Sequence, residues 1–141
     1  MKRIVCWYSC GAASAVATKL TIAKYGKDHE IVIARCVVRE EHPDNNRFAA
    51  DCEKWFGREI TDMIAAEYDG SVYNVIQKRK YISGIAGAPC TLLLKKQVRE
   101  WFQQPGDRHI FGYCLEEQAR YDRFLDANNI DCEAPLIEAK L

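Results

Sequence analysis

Apolar residues recur along this chain with two alternating periods. Arg3 to Tyr8 is a short apolar and aromatic run, the pattern of a strand covered on both faces. A small-residue turn, Ser9-Cys10-Gly11-Ala12-Ala13-Ser14, opens an alanine-rich stretch. There Ala13, Val16, Ala17, Leu20 and Ala23 keep helical spacing as far as Gly26, a helix stop. Ile31 to Val38 is β-branched and nearly continuous, so it predicts a second buried strand, parallel to the first, closing a β-α-β unit. A charged loop, Arg39 to Asn46, follows. Within Arg47 to Phe56, the residues Phe48, Cys52, Trp55 and Phe56 share one helical face; Gly57 ends it before an extended piece, Glu59 to Ile64.

The second half repeats the alternation. From Tyr68 to Ala88 the pattern is weaker, with a helix through Val72, Val75 and Ile76, the basic run Lys78-Arg79-Lys80, and a glycine-containing loop, Ser83 to Ala88. Pro89-Cys90-Thr91 introduces an amphipathic helix with Leu94, Val98, Trp101 and Phe102 toward the core, stopping before Pro105-Gly106. Arg108 to Cys114 then reads as a strand, Leu115 to Asn128 as a helix and Cys132 to Ile137 as a last strand. The expectation is an α/β fold, a five-stranded parallel sheet with helices on both faces, in a single domain over residues 1–141. Ligands of such sheets bind beyond the carboxyl ends of the strands, which directs attention to Ser9–Ser14, Arg39–Asn46, Ser83–Thr91 and Gly112–Glu117.

Composition narrows the function classes. Twenty Lys and Arg balance twenty Asp and Glu, so the overall charge recruits neither nucleic acid nor an anionic membrane. No apolar run approaches the ~20 residues that span a bilayer, and the opening Met-Lys-Arg-Ile-Val-Cys-Trp becomes charged too soon for a signal peptide; a cytoplasmic protein is expected. Seven cysteines, an odd number without a Cys-x-x-Cys pair, argue against a disulfide framework and a zinc ribbon, and Cys6, Cys36 and Cys132 read as packing thiols. Trp55 and Trp101 suit either a core or a homodimer contact. Lys78-Arg79-Lys80-Tyr81 suits a solvated helix end better than a hold on a nucleic-acid backbone.

The chemistry concentrates at Ser9 to Ser14. A helix start favours an anion, Gly11, Ala12 and Ala13 allow a phosphate close to the backbone, and Ser9 and Ser14 offer hydroxyl donors. The same small residues also suit close strand-helix packing, with Ser14 as a cap. The segment matches neither Gly-x-x-x-x-Gly-Lys-Ser/Thr nor Gly-x-Gly-x-x-Gly. Cys90 at a helix start near Lys95 is the thiol with the best reason to be reactive. Lys95 and Lys96 reach a cleft anion or form a solvated face, and Glu116 with Arg120 has ion-pair spacing. His42 and Asp44 flank Pro43 as a metal or acid-base pair, or as a solvated turn. His29 and His109 sit at strand starts without a role, and the histidines lack ligand spacing, so no metal site is assigned.

Ser9-Cys10-Gly11-Ala12-Ala13-Ser14 after the first strand resembles the Ser-Gly-Gly-x-Asp-Ser loop of the adenine nucleotide alpha hydrolase-like superfamily. Three further segments agree in order: Glu41-His42-Pro43-Asp44-Asn45 with Phe48; Pro89-Cys90-Thr91 with Lys95 and Lys96; and Phe111-Gly112-Tyr113-Cys114 with Glu116, Glu117 and Arg120. Together they resemble the phosphoadenosine-phosphosulfate reductase family, including its short bacteriophage members. The resemblance implies an adenine nucleotide, ATP or an adenylyl sulfate, held by Ser9, Cys10, Gly11, Ala12, Ala13, Ser14 and Gly112, with chemistry at its alpha-phosphate or sulfate. Cys90, Lys95 and Arg120 are then the catalytic candidates. Two departures stand out: Ala13 replaces the loop's Asp, which weighs against magnesium-dependent pyrophosphate release, and Cys10 replaces a Gly. The reductase branch also carries its reactive cysteine on a C-terminal extension, whereas these residues end at Glu138-Ala139-Lys140-Leu141. The alternatives to an enzyme are a nucleotide-sensing or sequestering module and a subunit of a nucleic-acid thiolation or modification system.

Overall fold

The computed structural model describes residues 3–79 and 92–141. Its elements are β1 (Ile4–Trp7), α1 (Ala12–Tyr25), β2 (Ile31–Cys36), α2 (Asp44–Phe56), β3 (Ile60–Met63), α3 (Val72–Arg79), α4 (Gln97–Phe102, preceded by a π-helical opening at Leu92–Lys96), β4 (Arg108–Ile110), α5 (Gln118–Ala127), β5 (Asp131–Glu133) and α6 (Pro135–Glu138). The five strands form one parallel sheet in the order β3-β2-β1-β4-β5. Ile4 is level with Ile31 on one side and Arg108 on the other. This is the expected three-layer, Rossmann-like α/β architecture. Among the described residues, no helix is long and apolar enough to cross a membrane.

Side chains alternate across the sheet and divide the core in two. Ile4, Cys6 and Tyr8 of the β1 segment pack with Ala17, Ile33, Cys52, Phe56 and Ile110 under α1 and α2. On the other face, Val38, Tyr68, Val75, Leu93, Leu94 and Val98 pack under α3 and α4.

Three helical faces differ from the sequence expectation. In α1 the buried positions are Ser14, Ala15, Ala17, Thr18 and Thr21, while Leu20 and Ala23 face outward. The hydroxyls of Thr18 and Thr21 donate to the Ser14 and Ala17 carbonyls at 2.8 Å, so their burial leaves no unmade hydrogen bond. Trp55 is 50% exposed, its ring capped by the Lys19 ammonium at 5.3 Å, and Trp101 is 70% exposed. Neither tryptophan is a core residue; Leu94 and Val98 fill that place on the second face.

All five strands are shorter than expected, the last two by half or more. β4 ends at Ile110, because the chain then turns toward the loop after β1, and the expected last strand stops at Glu133. Pro135 cannot donate to a ladder but suits the first turn of a helix, so Pro135–Glu138 winds into α6 against α1.

Candidate functional site

β1 is flanked by β2 and β4, and the strand order reverses there. A cavity of about 130 Å³ opens beyond the carboxyl ends of these strands, lined by Trp7, Tyr8, Ser9, Arg35, Cys36, Glu41, Lys95, Arg99 and Phe111. This is the crevice in which open α/β sheets bind ligands.

The loop after β1 is braced from within. The Ser14 hydroxyl accepts from the Ser9 amide and from the Ser9 hydroxyl, each at 3.1 Å, and donates to the Gly11 carbonyl at 3.1 Å. Ser14 is buried and Ser9 exposed. Both hydroxyls therefore hold the loop's shape, and the anion-binding capacity at this turn rests with the amides at the start of α1, where Ala15 is bonded back to Gly11. Gly112 presses on this turn from the end of β4: a Cβ there would stand 2.7 Å from the Ser14 nitrogen and 2.8 Å from its Cα. Only glycine permits that approach. Cys10 adopts a left-handed φ of 62°, a conformation that favours Gly.

Arg35, which sequence reasoning passed over inside a β-branched run, is central. Its side chain is 9% exposed, yet its partners compensate its charge only in part. Nη2 donates to the Asn46 Oδ1 at 2.8 Å, Nη1 to the Cys10 thiol at 3.7 Å, and Nε lies 3.4 Å from the Asp62 carboxylate, which is 60% exposed. A buried guanidinium with one solvated carboxylate partner favours the arrival of an anion.

Helix α4 and its opening turn supply two more cations one turn apart. Lys95 reaches Glu41 at 3.2 Å. Arg99 lies over the Phe111 and Phe124 rings at 5.7 and 5.2 Å, and its buried Nε has no hydrogen-bond partner among the described residues. The aromatic wall is set by Trp7, whose indole N–H donates to the His109 Nδ1 at 3.0 Å. His109, assigned no role by its place at a strand start, is a buried brace behind that wall.

The thiols nearby are held protonated. Burial pushes Cys36 up to about 11 against the opposing charges of Lys95 and Arg99, and burial raises Cys10 despite Arg35. The Tyr8 phenol is likewise raised, first by burial and then by the neighbouring Cys52 and Cys10. Cys36, a packing thiol by its sequence setting, packs against the second core and also lines the cavity.

Of the expected site residues, Ser9, Lys95 and the loop with Gly112 come together. Arg120 does not line this cavity; it is 68% exposed, pairs with Glu117 at 3.1 Å rather than Glu116, and lies over Tyr113. Cys90, Pro89 and Thr91, with Lys80, Tyr81 and the Ser83 to Ala88 loop, lie outside the described residues. Lys78 and Arg79 bond to the Glu67 carbonyl and the Tyr68 hydroxyl. Asp44 pairs with Arg47, and no three metal-ligating side chains converge among the described residues. In comparisons with known proteins, no protein-family model and no curated protein matches this chain.

Proposed function

We propose that the protein binds an adenine nucleotide across the carboxyl ends of β1, β2 and β4 and acts at its alpha-phosphate or sulfate. One observation carries the reading: the loop locked by Ser14 and Gly112 opens on a cavity with three cations, Arg35, Lys95 and Arg99, in a chain of zero net charge. Local concentration of positive charge at the switch point of a parallel sheet suits a phosphoanhydride or phosphosulfate group. Trp7 and Phe111 supply an apolar wall for a purine. Catalysis in such a site is electrostatic, through fixed cations and amides directed at charge that develops on the oxyanion. The family resemblance of the loop supports adenine as the base.

A second reading, binding without turnover, draws on Glu41. It is the carboxylate among the described lining residues, and it is occupied by Lys95 at 3.2 Å and by the Asn45 amide at 3.1 Å. With Ala13 in the loop, no free carboxylate lines the cavity among the described residues. Titration calorimetry with ATP, AMP and an adenylyl sulfate, with and without magnesium, tests the binding, and steady-state turnover separates the two readings. The expected result is saturable binding weakened about ten-fold or more by Arg35→Lys, which keeps the charge but loses the planar fork. Equal affinity of that variant, or no binding at millimolar nucleotide, contradicts the proposal.

A further inference from the structure

A second cavity, of about 410 Å³, adjoins the first on the other side of Arg35 and Glu41 and is walled by Arg39, His42, Asn45 and Asn46 among others. We propose that it binds a second ligand beside the nucleotide, a small molecule bearing an oxyanion.

The internal hydrogen bonds of its wall determine which groups are left to meet a ligand. His42 Nδ1 accepts the Asp44 amide at 3.1 Å, so the neutral ring carries its proton on Nε2 and is left as a donor. The Asn46 Oδ1 is taken by Arg35 at 2.8 Å, leaving that amide's two N–H groups. The carboxylates near the wall are engaged: Glu41 by Lys95 and Asn45, and Asp69 by Arg39 at 2.7 Å. What remains is mostly donors, the His42 Nε2–H, both Asn46 N–H groups and one Asn45 N–H, with the Asn45 Oδ1 beside them, around the partly compensated guanidinium of Arg35. A cavity with donors and a buried positive charge selects an anion over a cation or an apolar group.

The site rests on the nucleotide reading only for its role as the place of a co-substrate; its anion selectivity stands on its own residues. Because Arg35 borders both cavities, the two ligands share one guanidinium and are within reach of each other. Inorganic phosphate and acetate serve as probes of the tetrahedral and planar oxyanion.

The test follows His42 and the Asn45 and Asn46 side-chain amides by NMR during titration with each probe. Either anion is expected to shift all three groups saturably, and His42→Ala, which leaves Arg35 in place, is expected to weaken that binding about three-fold or more while nucleotide affinity stays within two-fold. Asn46→Asp, which places a carboxylate on Arg35 and keeps the fold's contact, is expected to abolish it. Anion shifts confined to the Ser9 to Ser14 loop, or unchanged anion affinity in Asn46→Asp, overturn the second site. Anion binding at His42 and Asn46 in a protein that binds no adenine nucleotide overturns the first reading and leaves the second standing.

Discussion

At the scale of single residues, two contacts shape the site. Gly112 touches backbone rather than a movable side chain, so the neighbour cannot yield to an added methyl. Gly112→Ala is expected to cost about 1–3 kcal/mol in chemical denaturation, as overpacking does, and to distort the Ser9 to Ser14 loop. A variant of unchanged stability would show that the approach is not tight. His109 is the second. Burial holds it below its ordinary 6.5, with Asp107 opposing and Arg99 and Arg3 adding to the effect. The native state thus prefers the neutral ring, which the Trp7 hydrogen bond also requires. As pH falls, the unfolded chain takes up the proton first, so this contribution to stability is complete above about 6.5 and declines below it. Urea midpoints measured between pH 7.5 and 5 should fall for the parent protein and fall less for His109→Asn. Parallel curves would remove His109 as the cause. The sequence displayed Gly112 as part of a recognisable segment, but the role of His109 depends on a β1-β4 pairing that no local pattern encodes.

At the scale of elements, the five strands and helices α1 to α5 lie where hydrophobic periodicity placed them, while α6 replaced the end of the expected last strand and other ends and faces shifted. The period marks a stripe but does not rank its members. In α1 the threonines displaced Leu20 from the buried side because their hydroxyls are satisfied within the helix. In α4, the π-helical turn at Leu92–Lys96 widens the winding and helps set Leu94 and Val98 inward with Lys95 and Arg99 beside the cavity. Trp101 then falls on the solvent side. Thermal or urea denaturation should accordingly show a loss of about 2–5 kcal/mol for Leu94→Ala. For Trp101→Ser the change should stay within about 0.5 kcal/mol. A large loss at Trp101 would mean that its face is covered in solution.

At the scale of the whole molecule, charge and topology combine. The chain is neutral overall, and part of its surface charge pairs locally, as Arg47 does with Asp44 and Asp51 and Arg108 with Asp131. The cations around Arg35 are drawn from β2 and α4, distant in sequence, and meet because the sheet runs β3-β2-β1-β4-β5. Sequence alone supplied the alternation that makes a parallel sheet, but not the strand order, and so it indicated the Ser9 loop without Arg35, Arg99 or Trp7. Proposed for the cavity at the end of β1 is an adenine nucleotide. Its most direct test is the set of three tryptophan indole N–H signals during titration with AMP and ATP, since of the three tryptophans Trp7 alone lines the cavity. Assigned by single substitution, the Trp7 signal is predicted to shift saturably while those of Trp55 and Trp101 stay in place. A silent Trp7 signal at millimolar nucleotide, or equal shifts at all three, would contradict the account.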